Sequence, residues 1–232
     1  MEVRSVSRVL ANSLEEAISS GSYRFAYELG QRAASANPAL DAHFWFQYAL
    51  AAQLIGEDGT AMVDKARKAT GYSDLMECDF QRDTALLAIR KHRLKDASNN
   101  MKASRKLIPF HDGNRQAAAR MVDARIHYAL GRYKTAAALH ADANRQWINL
   151  GDNANQQWMR NNRFHWWLAA VRARNSDAYN LGGDILRDEP IERRRQLVRW
   201  ETNWGRTIVV AYSIMERLRW QLTHLITRPV RR

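Results

Sequence analysis

One cysteine and four prolines are all that this 232-residue chain has of the residues that most restrict a backbone covalently. A single thiol, Cys78, excludes an internal disulfide and any zinc site built from several cysteines. A lone Cys among apolar neighbours is expected to be small core filler. The eleven glycines are scattered through breaks in the hydrophobic pattern, so there is no glycine-rich loop to cradle a phosphate. No apolar run approaches the roughly 18 residues of a membrane span. The longest candidate, Thr207 to Met215, is too short. The N-terminus, Met1-Glu2-Val3-Arg4-Ser5, lacks the basic-then-apolar order of a secretory signal. Together these absences lead to the expectation of a cytoplasmic protein.

Signatures of chemistry are missing too. The seven histidines are His43, His92, His111, His127, His140, His165 and His224, and no two have metal-ligand spacing with a carboxylate partner. No serine sits in a nucleophile elbow. The carboxylate pairs Glu15-Glu16 and Asp188-Glu189 read as helix-end or surface charges. The expectation is a non-enzymatic protein with no metal and no cofactor.

What is present favours helix. Ala, Leu, Arg and Gln are abundant, β-branched runs are few, and apolar residues recur at helical spacing between short breaks at Gly, Pro, Asn and Asp. Hydrophobic residues make up 46% and charged residues 26%, which suits a folded core.

A pattern then repeats. Residues 21–38 place Gly21, Tyr23, Ala26 and Ala33 before Pro38, after a first helical segment from Val9 to Ser20. Residues 131–143 place Gly131, Tyr133, Ala136 and Ala143 at identical intervals. A third copy has Leu94, Ala97, Ser104 and Pro109. A fourth, from Phe44 to Ala69, has Gly56 in its turn and Ala61 after it. A weaker one has Ala178, Ile185 and Pro190. Small residues at fixed places let paired helices approach, and a hairpin that exposes an apolar face buries it by stacking on the next.

This framework of turn glycine, tyrosine and paired alanines resembles the tetratricopeptide repeat (TPR-like). The Trp-Leu-Gly signature of that family's first helix is missing in every copy. The resemblance implies an all-α fold: antiparallel helix hairpins stacked as a TPR-like right-handed superhelix, about five hairpins over residues 1–190. It also implies a groove, lined by the first helices, that holds a protein or peptide partner. Arg160, Asn161 and Arg163 are expected on the groove floor in the fifth first helix. One subtype of the family grips a terminal carboxylate. Arg8 and Asn12 echo the start of that clamp, but Gln47, Asp79 and Asp83 stand at the later positions, so carboxylate capture is not expected.

Residues 191–232 differ in character. The net charge of the chain is +12, and this stretch holds ten arginines against three acidic residues. Between Pro190 and Pro229 a long capping helix is expected. Its seam runs through Leu197, Trp200, Trp204, Ile208, Ala211, Met215, Leu218, Leu222 and Leu225, with heptad spacing from Trp204 onward. Arg195, Arg199, Arg206, Arg217 and Arg228 mark the opposite face, with Trp220 among them, and Gly205 is a possible break. Three roles fit: a solvated cap on the last hairpin; a nucleic-acid face in which arginines meet phosphate and Trp220 stacks on a base; or self-association through the seam as a homo-oligomer or docking on an acidic protein or membrane surface. Two functions therefore stand: an adaptor or scaffold holding a protein or peptide, and a nucleic-acid-binding component.

Overall fold

The computed structural model describes residues 2–36 and 39–174, with side chains from residue 6 onward. Among these residues there are nine α-helices, one 3-10 turn at Gly151–Asn153 and no strand. The helices are α1 (Glu2–Ser19), α2 (Tyr23–Ala36), α3 (Ala42–Ile55), α4 (Thr60–Lys68), α5 (Asp74–Arg90), α6 (Leu94–Lys106), α7 (Gly113–Ala129), α8 (Tyr133–Leu150) and α9 (Gln156–Arg172). The fold is all-α, built of repeating helix pairs. The expected C-terminal helix, its apolar seam, its arginine face and the fifth copy's Ala178, Ile185 and Pro190 lie outside the described residues, as does Pro38.

The helices stack in a regular order. Each odd helix from α1 to α7 packs on its own even partner and on the next odd helix, so that α1, α3, α5, α7 and α9 form one continuous row. The even helices α2, α6 and α8 also pack on the odd helix that follows them. The nine-residue α4 is tied to α5 by an ion pair, in which Arg67 donates to both carboxylate oxygens of Glu77 at 2.7 and 3.0 Å.

The turns explain the repeat. After α1, the N–H of Gly21 bonds the carbonyl of Ile18 and that of Ser22 bonds Ala17. The same pair of bonds recurs at His92 and Arg93, and at Gly131 and Arg132. This is the Schellman arrangement, and its C′ residue takes a left-handed conformation. Gly21, His92 and Gly131 have φ of 83°, 57° and 75°. Five residues on, Ala26, Ala97 and Ala136 are fully buried, where the second helix meets its neighbours. The recurrence seen in sequence is thus a turn plus the first contact of each second helix.

Two copies depart from it. The left-handed residue of the second turn is Gly56, but α4 starts four residues later at Thr60 rather than two. The two extra residues shift the register, so Ala61 is exposed and Val63 takes the buried place. In the fifth turn the left-handed residue is Arg174, four residues before Ala178 rather than five. The first helix also starts well before Val9, at Glu2.

Odd and even helices start differently. Asp41, Ser73, Asp112 and Asn155 each accept a side-chain cap bond from the backbone N–H three residues on, opening α3, α5, α7 and α9. Such caps satisfy otherwise orphaned donors. Helices α4, α6 and α8 have no side-chain cap. The odd helices start at residues 2, 42, 74, 113 and 156, so successive starts lie 40, 32, 39 and 43 residues apart. Three of these intervals are longer than the 34 residues of the tetratricopeptide repeat and one is shorter, so the spacing is uneven.

The core has two main parts. The first centres on α3, where Phe44, Trp45, Phe46, Tyr48 and four alanines are buried on all sides because four helices surround it. A helix apolar all round belongs in such a position. The second joins α5 to α9 through Met101, Val122 and Trp147. Phe46 and Phe80, with ring centroids 5.0 Å apart, carry packing between the second and third hairpins. Cys78 is buried core filler, its sulfur 3.3 Å from the Ser104 hydroxyl, and burial pushes the thiol pKa up. Ser104, standing where other copies have alanine, donates to the Cys78 carbonyl at 2.9 Å.

Candidate functional site

The row of odd helices walls a cavity of roughly 450 Å³, and every one of the five contributes to it. Glu15 comes from α1, and His43, Phe46, Gln47 and Leu50 from α3. Asp79, Phe80, Arg82, Asp83 and Leu86 come from α5, Ala118 and Met121 from α7, and Gln157, Trp158 and Asn161 from α9. This is a groove of mixed character: an apolar lining, two amides and a charged cluster. A pocket with apolar walls and a few convergent polar groups is the usual form of a binding site.

The cluster is built on α5. Asp79, Arg82 and Asp83 fall within about one helical turn, so their side chains converge. Arg82 donates from Nη1 to Asp79 Oδ1 at 2.8 Å, and from Nε and Nη2 to Asp83 Oδ1 at 3.0 and 2.9 Å. Its side chain is only 11% exposed. Asp79 also receives Arg115 of α7, from Nε at 3.1 Å and Nη2 at 2.7 Å. Arg115 is in turn held by Asp112, the N-cap of α7, at 2.5 Å. The ion pairs therefore run continuously from the start of α7 to the groove face of α5. The Arg82 guanidinium continues the link by lying over the Trp158 ring of α9 at 4.5 Å.

The titration behaviour follows from this geometry. The hydrogen bonds from Arg115 to Asp79 outweigh desolvation and raise the guanidinium pKa. Burial works against the Arg82 charge, but Asp83 and Asp79 outweigh it and the pKa rises. Asp83 behaves differently. Burial pushes its carboxyl up against the opposing Arg82 charge, and the charges of Asp79 and Glu15 push the same way. Both Arg82 bonds fall on Oδ1, and no hydrogen bond from the described residues reaches Oδ2. Nearby, Glu15 Oε2 lies 3.8 Å from His43 Nε2, with the Glu15 side chain 62% exposed.

The three residues expected on the floor lie in different surroundings. Asn161 lines the groove. Arg163 donates to Asn144 Oδ1 of α8 at 3.1 Å, and Arg160 is exposed. Gln47, Asp79 and Asp83, singled out as later clamp positions, do line the groove together, whereas Arg8 and Asn12 of α1 are exposed outside its lining. Glu15, which reads as a surface charge in sequence, is part of the wall. Sequence reasoning also passed over Arg82 and Trp158. The available signal was Asp79, Arg82 and Asp83 at one-turn spacing beside the apolar Phe80 and Leu86. Arg195, Arg199, Arg206, Arg217, Trp220 and Arg228 lie outside the described residues.

No group of three or more His, Cys, Asp and Glu placed to hold a metal ion occurs among the described residues. No described helix is long and apolar enough to cross a membrane. No protein-family model, no curated protein and no solved structure matches this chain.

Proposed function

We propose that this protein is a non-enzymatic adaptor or scaffold whose TPR-like, superhelically stacked hairpins hold a segment of a partner protein in the groove of the odd helices. The observation that carries this reading is the shared wall: one cavity takes side chains from all five odd helices, so an extended segment laid along it would touch every hairpin. Gln47, Gln157 and Asn161 supply amides suited to a peptide backbone, and Phe46, Leu50 and Met121 supply apolar contact for its side chains. The order of stacking supports a rigid scaffold, because each hairpin is fixed by the next.

The test is affinity capture with the full chain from extracts of its own cell, with and without nuclease. Two variants accompany it: Gln47→Trp with Asn161→Arg to fill the groove, and Arg195, Arg199, Arg206 and Arg217 to Gln. A protein retained after nuclease and lost on filling the groove supports the adaptor. Nucleic acid retained with steep salt dependence, and lost only in the arginine variant, would instead establish the nucleic-acid-binding function.

A further inference from the structure

The groove opposes the charge of the chain that carries it. The chain is +12 overall, yet among the described residues the charged side chains lining the groove are Glu15, Asp79, Asp83 and one cation, Arg82. Arg82 is committed: its Nε, Nη1 and Nη2 donate to Asp79 and Asp83, its face lies on Trp158, and little of it meets solvent. Asp79 is doubly satisfied by Arg82 and Arg115. Asp83 and Glu15 are left over. Among the described residues, Asp83 accepts through one oxygen only, and Glu15 pairs with no Lys or Arg, its basic neighbour being the His43 ring at 3.8 Å. Glu15 of α1 and Asp83 of α5 line the same cavity, and the Glu15 charge adds to the rise of the Asp83 pKa. A cation entering between them would relieve that repulsion and find acceptors already in place. Phe46 and Leu50 beside them offer apolar surface for the stem of a long basic side chain.

We infer that the groove selects an extended segment of a partner protein that carries an arginine or lysine next to an apolar residue, with the basic head group seated between Asp83 and Glu15. This rests on the groove reading above and narrows it. It places attraction at the site and leaves the rest of the positively charged surface to repel wrongly seated basic peptides.

A random decapeptide display library selected on the immobilised full chain tests the inference. Enriched peptides are then measured singly by fluorescence anisotropy, together with versions in which arginine is replaced by the neutral isostere citrulline. The expected result is a motif with a basic residue at a fixed distance from an apolar one. Affinity should fall about tenfold with citrulline, and by a similar factor in Asp83→Asn and in Glu15→Gln. In those variants the arginine and citrulline peptides should bind alike. Glu15→Gln changes an exposed side chain, so it reports on binding even where Asp83→Asn disturbs folding. Peptides without a fixed basic residue that are lost on Gln47→Trp would overturn the charge preference and leave the groove reading standing. Basic peptides that bind all variants equally would also overturn it. No enrichment, or enrichment indifferent to Gln47→Trp, would overturn both.

Discussion

Arg82 of α5 and Trp158 of α9 meet across the groove, the guanidinium carbon 4.5 Å from the ring centroid. They belong to the third and fifth hairpins, so the contact spans an intervening helix pair. The same guanidinium neutralises Asp79 and Asp83. Removing it would leave Asp83 without its cation and Asp79 with Arg115 alone, and would release the indole. For Arg82→Met we expect a loss of about 2 kcal/mol in urea unfolding, below the usual cost of breaking a fully buried pair because both aspartates are partly exposed. Arg82→Lys should recover less than half of it, since an ammonium cannot reproduce the forked donors or stack flat on Trp158. Full recovery by lysine would show that only charge matters here.

The turn residues give a second expectation. His92 occupies the place of Gly21 and Gly131, with φ of 57°, a region that costs an L-residue about 1–2 kcal/mol. His92→Gly removes that cost but frees the unfolded chain, so a net gain of up to about 1 kcal/mol is expected. Gly131→Ala is the reverse experiment. An added Cβ there meets nothing within 4 Å, so any loss comes from the backbone alone, about 1 kcal/mol. Thermal unfolding of the two variants should move in opposite directions. Movement in the same direction would mean that the turns are not equivalent.

These turns are also where the sequence was most legible. Gly21 and Gly131, with Tyr23, Tyr133 and the buried alanines after them, mark a local motif whose geometry is fixed within about a dozen residues. Ala26 and Ala136 therefore announce helix pairing from sequence. The copy from Phe44 to Ala69 misled because Glu57, Asp58 and Gly59 lengthen its turn, and spacing alone does not show that Val63 rather than Ala61 becomes buried. The groove was less legible for a different reason. Its wall joins Glu15 to Asn161, residues far apart in sequence, and membership depends on how the helices stack. Arg163 illustrates the difficulty: it sits two residues from Asn161, yet it bonds Asn144 on α8. The side-chain caps Asp41, Ser73, Asp112 and Asn155 carried a readable signal, a capping residue ahead of each later odd helix.

Close approach at the N-terminal end makes a third prediction. A Cβ built on Gly30 of α2 would lie 2.4 Å from Cδ2 of Tyr48 on α3. Tyr48 is buried beneath it, with the Tyr27 ring 5.5 Å away, and burial pushes its phenol up to about 12. The ring has little freedom to retreat. Gly30→Ala should therefore destabilise by about 1–3 kcal/mol despite the better helix propensity of alanine. Combining it with Tyr48→Leu should cost less than the sum of the two single changes, because the second substitution makes the room that the first needs. Additive losses in urea unfolding would mean that the clash is relieved by backbone movement.

The last prediction concerns acid. His140 of α8 is fully buried, and its Nδ1 lies 2.7 Å from Asn162 Oδ1 on α9. Asn162 returns a bond from Nδ2 to the His140 carbonyl at 2.9 Å. With the asparagine oxygen as acceptor, Nδ1 carries the proton, and Nε2 is a bare acceptor with no hydrogen-bond partner among the described residues. Desolvation lowers the His140 pKa to about 3, the Asn162 bond opposes this, and the charges of His165 and Arg125 add to the lowering. The unfolded chain takes up this proton near pH 6.5, whereas the folded protein does not until about pH 3. Between those values the unfolded state binds more protons, so stability falls as pH falls, by up to about 1.4 kcal/mol per pH unit. Urea unfolding at pH 7 and pH 5 should show wild type losing about 2 kcal/mol more than His140→Gln, which keeps a donor for Asn162 and has nothing to protonate. Aspartates and glutamates titrate in both proteins and cancel in the difference. Equal losses would mean that His140 is reached by a proton without unfolding.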